Sequence, residues 1–311
     1  MADSVPTQTD NKFRWKLWAA VGAASWLGGC EATDGDLQNT APESNSTSVG
    51  IEGEGEGEGH GGGEGEGEGH GGGEGEGEGH GGGEGEGEGE GEGGSAGTNY
   101  STNDVAYLSQ LGLMRGHLKV GSFLYENGHP ELASTHMKHP EMELYSSLVE
   151  AFRKRDCRGF APELEALSNA VNGGDTTELV DKLYESVVDK IANCESRVTS
   201  SPRKNVAVIE SLLRTAGEEY AIGVVAGRIE NLHEFQDAWG FTQVAKVLSR
   251  SSLFAGGDRS VAIAAQIQSI IEDLTPMWPD LADANQQLDT VASQLYGAAA
   301  QIEIIALSLK E

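Results

Sequence analysis

The segment DVAYLSQLGLMRGHLKVGSFLYENG, residues 104–128, decides the fold of this chain. Its apolar and small residues recur at steps of three and four, so they fall on one face of an α-helix. The pattern predicts a helix from about Asp104 to Asn127, stopped by Gly128, with one face turned to a core. The residues of that face are Tyr107, Leu111, Met114, Leu118, Gly121 and Tyr125.

The same periodicity continues towards the C-terminus and predicts a helical bundle. Ser201-Pro202 is typical of a helix start, as are Asp175-Thr-Thr-Glu178 and Asn231-x-x-Glu234. No alternating, strand-like runs interrupt the pattern. The sequence therefore predicts an all-α bundle of about 7–9 helices over residues 101–311, with 101–200 and 201–311 as candidate sub-halves. The further helices are predicted near 130–138, 141–156, 161–172, 176–196, 203–228, 232–252, 259–274 and 286–309.

A repeat of glutamate and glycine precedes this domain. Residues 52–93 carry 15 carboxylates and no Lys or Arg, and a histidine closes three ten-residue blocks at His60, His70 and His80. Glycine loses much backbone entropy on ordering, and like charges extend the chain, so a packed core cannot form here. We predict a disordered tether over residues 30–100. It is either a spacer alone or a spacer whose carboxylates and imidazoles also hold cations weakly.

The N-terminus has the pattern of an export signal. Lys12, Arg14 and Lys16 precede an apolar run, residues 17–29, that is short for a bilayer span and ends in small residues. Residues 1–29 are thus predicted to be a signal peptide. The run ends Leu-Gly-Gly-Cys30, which resembles the lipobox of bacterial lipoproteins. The resemblance implies cleavage before Cys30, lipidation of its thiol and anchorage to a bacterial membrane on the periplasmic or cell-surface side. The alternative is an ordinary cysteine.

Two cysteines remain once Cys30 carries the lipid. In an oxidising compartment this even number favours one disulfide between Cys157 and Cys194, which would close a loop of 37 residues. The alternative is two unrelated buried thiols.

The charge of the chain argues against a nucleic-acid partner. The net charge is −29, and residues 101–311 alone carry 18 basic and 29 acidic side chains. Phosphate backbones need a basic surface, whereas metal cations or basic partners match this one. No P-loop or C-x-x-C motif is present, and the G-x-S-x-G match at residues 93–97 lies in the glycine-rich tether, without the strand and helix that flank a catalytic serine. We therefore expect a binding protein and not an enzyme.

A histidine-rich segment, residues 114–145, is the first candidate metal site. Two of its histidines, His136 and His139, are three residues apart and can face one metal from one helical turn. A turn at Gly128 would fold the segment back and bring His117 close. The alternative is that these residues are caps and core side chains. The candidate ligands of this segment are His117, His129, His136, His139 and Glu143.

A second segment, Glu218 to Leu248, resembles the periplasmic extension of bacterial high-affinity iron permeases. The likeness covers about 30 residues and rests on Gly227-Arg-Ile-Glu-Asn-Leu-His-Glu-Phe235 after an acidic-Tyr start. It implies an extracytoplasmic domain that works with iron uptake, with an iron permease or another envelope protein as partner. The ligands that it implies are Glu219, Glu230, His233 and Asp237.

These patterns combine into one functional hypothesis. The chain is expected to be a membrane-anchored, extracytoplasmic metal-binding lipoprotein that assists iron acquisition or homeostasis, with a metal ion, iron first, as its ligand. Two alternatives stay open at this point: a periplasmic protein that binds copper or zinc, and an envelope module that binds another protein and no metal.

Overall fold

The computed structural model describes residues 98–309, apart from the side chain of Glu143, and this part of the chain is mostly helical. The all-α prediction is confirmed. The predictions for the signal peptide, Cys30 and the acidic repeat lie outside the described residues. The helices between residues 98 and 309 are α1 Asp104–Glu126, α2 Pro130–His139, α3 Tyr145–Lys154, α4 Ala161–Gly173, α5 Thr177–Glu195, α6 Pro202–Gly223, α7 Leu232–Ser249, α8 Asp258–Glu272 and α9 Ser293–Ala306.

Short turns complete these helices. A π-helical turn, Pro140–Leu144, joins α2 to α3, where the sequence predicts one regular helix over 141–156. Two 3₁₀ turns, Ser252–Ala255 and Thr275–Met277, flank α8.

Side-chain caps begin the helices that position the site. Asn103 Oδ1 accepts a hydrogen bond from the Ala106 N–H at 3.1 Å at the start of α1. Ser201 Oγ accepts from the Lys204 N–H at 3.3 Å, as predicted for α6, and Asn231 Oδ1 accepts from the His233 N–H at 3.0 Å in α7. The cap of α5 lies one residue later than predicted, because the side chain of Thr176 and not that of Asp175 accepts from the first turn.

The prediction of one helix over 203–228, with no strand, is wrong at its end. α6 stops at Gly223, and a short antiparallel hairpin follows, β1 Val224–Val225 and β2 Arg228–Ile229. Val224, Val225 and Ile229 are β-branched and favour extended backbone. Ala226 and Gly227 both have positive φ, 50° and 77°, as a tight two-residue hairpin turn requires.

The predicted helix 286–309 also starts too early. Gln287 forms an antiparallel bridge with Arg228 of the hairpin, and the Leu288 N–H donates to Gly227 O at 2.9 Å. A Cβ on Gly227 would lie 2.6 Å from Leu288 O, so only glycine permits this approach. α9 therefore begins at Ser293, after the chain has left the hairpin.

One hydrophobic core joins the two candidate sub-halves. Leu118 of α1 and Phe160 at the start of α4 belong to the same buried cluster as Leu213 of α6 and Ile302 of α9. Within this core α1 packs against α2, α6 and α7. The N-terminal helices thus share their apolar contacts with the C-terminal ones.

Cys157 and Cys194 are joined by a disulfide, with their Cα atoms 5.3 Å apart. The bond ties the end of α5 to the loop before α4, and both cysteines are buried. A loop of 37 residues closed in this way stabilises a domain by about 3–4 kcal/mol in the chain-entropy model.

Helices α1 and α7 approach each other closely at Gly116 and Gly240. A Cβ added to Gly240 would lie 2.5 Å from Gly116 O and 2.7 Å from Val120 Cγ2. A Cβ added to Gly116 would lie 2.3 Å from Phe241 Cδ1. Because neither position has room for a methyl group, both glycines are needed for the two helices to approach this closely.

Replacement of Gly240 by alanine is therefore expected to force the helices apart. We predict a loss of about 1–3 kcal/mol in the free energy of unfolding, as for other overpacked cores, measured by chemical denaturation. Gly297→Ala in α9 is the matched control, because no atom lies within 4 Å of the added Cβ. The control should be neutral or should stabilise by up to about 1 kcal/mol. Equal stabilities of the two variants would contradict the crossing.

Candidate metal centre

Three helices bring three histidines and one aspartate together inside the bundle. α1 contributes His117, α2 contributes His136, and α7 contributes His233 and Asp237. One ligand atom from each of these residues lies within 4.8 Å of the others. His117, His136 and Asp237 are fully buried, and the side chain of His233 is 20% exposed. We call these four residues the His₃Asp cluster.

The carboxylate of Asp237 is the centre of the His₃Asp cluster. Its Oδ1 lies 2.8 Å from His117 Nδ1 and 2.9 Å from His136 Nδ1. Its Oδ2 lies 3.0 Å from His233 Nε2. Three imidazole nitrogens from three helices thus converge on one buried carboxylate.

The sequence of α7 explains how two of these side chains face inward. His233, Asp237 and Phe241 follow one another at four-residue intervals and share one face of the helix. Phe241 lies edge-on to the ring of His117, with centroids 5.1 Å apart. The polar residues therefore lie on the apolar face of α7, opposite α1, where the Gly116–Gly240 crossing brings the two helices together.

The histidine rings pack on one another. The ring of His136 stacks on that of His233, with centroids 4.1 Å apart and planes 14° apart. His139 lies beside the His₃Asp cluster, with its ring centroid 4.5 Å from that of His233 and 5.4 Å from that of His117. The predicted pair His136 and His139 thus lies at one location, with His136 inside the His₃Asp cluster and His139 next to it.

Gln236 is a buried polar neighbour that the sequence analysis did not identify. Its Oε1 lies 2.8 Å from His136 Nε2, and its amide nitrogen donates to Leu281 O at 2.7 Å. The only sequence signal is its position beside Asp237 on a mostly apolar helix. Its partner Leu281 is 45 residues away in the chain, so no local pattern could reveal the contact.

Burial and charge set the protonation of the His₃Asp cluster. Burial, helped by the neighbouring imidazoles, lowers the pKa of His233 to about 3 against the opposing effect of Asp237. Burial alone would raise the pKa of Asp237, but the three imidazoles outweigh it and hold that pKa well below its usual value. At neutral pH, His233 is therefore a neutral imidazole and Asp237 a carboxylate, which are the forms that bind metal ions.

The other predicted ligands lie elsewhere. His129 is exposed at the start of α2 and its side chain makes no cap hydrogen bond. Glu230 is exposed and pairs with Arg228 at 3.3 Å. Glu219 is buried in α6 and is not one of the four residues of the His₃Asp cluster. The side chain of Glu143 lies outside the part of the chain that the structure describes.

The donor set of the His₃Asp cluster is chemically suited to a transition-metal ion. Imidazole nitrogens bind zinc, copper, iron and nickel, and a carboxylate adds the anionic donor that these ions also accept. Three imidazoles and one carboxylate complete a four-coordinate site. The residues therefore fit a metal ion, and their chemistry does not by itself identify the metal.

The depressed pKa of His233 makes the stability of the metal-free protein dependent on pH. Between pH 6.5, the ordinary histidine value, and about pH 3, the unfolded chain binds a proton that the folded His233 does not. Stability should therefore fall as the pH is lowered through this window, by up to about 1.4 kcal/mol per pH unit from this group. Urea denaturation across the window should give a flatter profile for His233→Gln than for the wild type. Parallel profiles would show that His233 does not titrate in this way.

A family model matches the second half of the chain. Residues 195–306 match the iron permease-associated 4-helix bundle domain, so the likeness of this half to the iron-permease extension is confirmed. No curated protein and no solved structure matches the chain significantly. Among residues 98–309, no helix is long and apolar enough to cross a membrane. His233 and Asp237 lie within the matched residues, whereas His117 and His136 lie before them, so the His₃Asp cluster needs both halves of the described chain.

Proposed function

We propose that this protein binds a metal ion at the His₃Asp cluster and assists iron acquisition or homeostasis at the cell envelope. It acts as a binding protein and not as an enzyme, and the ion is its cargo. The observation that carries the proposal is the convergence of three imidazole nitrogens on the buried carboxylate of Asp237, at 2.8, 2.9 and 3.0 Å.

The contacts of His136 favour a cation in the His₃Asp cluster. Its Nε2 faces Gln236 Oε1 and its Nδ1 faces Asp237 Oδ1, and both oxygens are acceptors. A neutral imidazole has one N–H and can satisfy only one of them. A metal ion bound between Nδ1 and Oδ1 would satisfy the second contact.

Stability alone does not account for such an arrangement. Removing a carboxylate and three imidazoles from water costs several kcal/mol, and well-packed apolar residues in their place are often as stable or more stable. A core whose only task was packing would therefore gain nothing from these four residues. A bound cation supplies the attraction that offsets their desolvation.

The match to an iron permease-associated domain favours iron as the ion. The donors also support the second candidate function, binding of copper or zinc, because three of the four are imidazoles. Divalent copper binds such sites more tightly than zinc or ferrous iron, so the ion that is held in the cell depends on supply as well as on affinity. Binding of each ion to the purified protein separates these candidates.

The proposed location rests on the sequence before residue 98. Leu-Gly-Gly-Cys30 supports lipid anchorage on the periplasmic or cell-surface side of a bacterial membrane. The repeat at 52–93 would then hold the bundle away from the lipid surface. An iron permease or another envelope protein is the proposed partner, supported by the matched domain.

Substitutions in the His₃Asp cluster test the metal site. Asp237→Asn keeps the shape of the side chain and removes its charge, and His117→Ala removes one donor. Each variant should weaken the tight binding of Fe(II), Zn(II) or Cu(II) at least tenfold in calorimetric titration. Each should also lose most of the stabilisation by metal, which is measured as a rise in melting temperature. For the wild type this stabilisation amounts to about 2.7 kcal/mol at a hundredfold excess of ion over Kd.

His129→Ala is the matched control, because this histidine is exposed and is not one of the four residues. It should bind as the wild type does. Deletion of residues 52–93 should remove only weak uptake by the repeat and should leave the tight site. Tight binding that survives in Asp237→Asn and His117→Ala but disappears with the repeat would overturn the proposal.

Cys30→Ser tests the anchor. Without a lipid on this residue the protein should leave the membrane fraction for the soluble one, because firm retention requires the several acyl chains of a lipoprotein. Fractionation and immunoblotting of cells that express each form measure the change. A serine variant that still sediments with membranes would show that the protein is held there by other means.

A further inference from the structure

We propose that Gln236 is a positioning residue, which holds His136 in the tautomer that presents Nδ1 to the bound ion. The inference rests on the proposed metal site and adds to it a residue outside the donor set. It also assigns a role to a buried glutamine, 1% exposed, that lies next to the His₃Asp cluster.

The orientation of the Gln236 amide follows from its partner in the chain. Leu281 O is a backbone carbonyl and can only accept, so the group that faces it at 2.7 Å must be the amide NH₂. The amide oxygen then faces His136 Nε2 at 2.8 Å. A flipped amide would place two oxygens against each other and two donors at the imidazole, so the observed orientation is strongly preferred.

The tautomer of His136 follows from the amide. Gln236 Oε1 can only accept, and a bound ion would replace a proton between Nδ1 and Asp237 Oδ1, so the one proton of the neutral ring belongs on His136 Nε2. The lone pair of the neutral ring is then on Nδ1, the atom that lies 2.9 Å from Asp237 Oδ1. Histidine ligands in metal sites commonly donate their second N–H in this way, and the partner fixes both the tautomer and the ring orientation.

The segment that carries Leu281 is itself fixed to α7 and to the hairpin. Trp278 Nε1 donates to Phe235 O at 3.1 Å, one residue before Gln236 in α7. Farther along, the Leu288 N–H donates to Gly227 O at 2.9 Å. The carbonyl of Leu281 is therefore held between two anchored points, and it can orient Gln236 without a compensating movement of the loop.

Two substitutions at this position separate positioning from packing. Gln236→Met has a similar volume and loses both hydrogen bonds. Gln236→Glu keeps an acceptor for His136 Nε2 but places a carboxylate oxygen against Leu281 O, so the metal-free protein should be less stable than the wild type. The matched control is Gln268→Met, which removes the donor of a 3.0 Å hydrogen bond to Ser249 O in the α8 region.

The experiment measures Zn(II) and Co(II) affinity, the free energy of unfolding of the metal-free protein, and the ¹⁵N spectrum of the histidine rings. Positioning predicts that Gln236→Met weakens metal binding by 10- to 100-fold, the usual range for such partners. Gln236→Glu should bind within about threefold of the wild type or more tightly, although it is less stable. Gln268→Met should bind as the wild type does. The ¹⁵N spectrum of the wild type should show a proton on His136 Nε2, and Gln236→Met should lose this preference.

Three results would overturn the inference. The first is a Gln236→Met variant that binds the metal as tightly as the wild type does. The second is a loss of metal affinity in both Gln236 variants that is fully explained by their lower free energy of unfolding. The third is a proton on Nδ1 alone in the wild-type His136, which can be seen even if Gln236→Met does not fold. If the wild type itself binds no ion at the His₃Asp cluster, the proposed function fails. If the wild type binds the ion and Gln236→Met binds it equally well, only this inference is refuted.

Discussion

The close approach of α1 and α7 at Gly116 and Gly240 is the constraint on which the site depends. Side chains at these positions would collide with the backbone or with Phe241, so the helices can meet only where both residues lack a Cβ. His117 follows Gly116 directly, and Asp237 lies one turn before Phe241. The crossing therefore brings His117 Nδ1 within 2.8 Å of Asp237 Oδ1. A wider crossing would separate the donors and admit water between them.

The buried carboxylate gives the site its chemical character. In the low dielectric of a core, an isolated charge is very costly, and it is retained only with partners that stabilise it. The imidazoles of three helices supply that stabilisation and hold the pKa of Asp237 well below its usual value. The same imidazoles are ligands for transition metals, so an arrangement that keeps Asp237 ionised also provides the donor set for a cation.

The residues of the candidate site are divided between the range that the family model matches and the helices that precede it. The iron permease-associated 4-helix bundle covers residues 195–306 and includes α7 with its two donors. The remaining donors come from α1 and α2, which pack on that bundle from the N-terminal side. In this chain the N-terminal helices therefore contribute two of the four residues of the His₃Asp cluster, and the matched range contributes the other two.

The sequence by itself determined the helical class, most helix boundaries and the residue types of the site. Periodic apolar residues and the Ser201 and Asn231 caps act locally, within a few residues, so they can be interpreted without a structure. Local patterns were insufficient where distant segments meet. The end of α6 and the late start of α9 depend on the contact between Gly227 and Leu288, and this contact is absent from any short window.

The same distinction applies to the candidate ligands. His233 and Asp237 are four residues apart, which is the spacing of neighbours on one helix face. The sequence left the exposed His129 among the candidate ligands together with His117 and His136. The tertiary structure alone decided which histidines meet Asp237, because the donors lie about 100 residues apart and are brought together by helix packing. It alone revealed Gln236, whose role depends on the carbonyl of Leu281. The physical reason is that a binding site is set by side-chain distances across the core, whereas a sequence pattern records only distances along the chain.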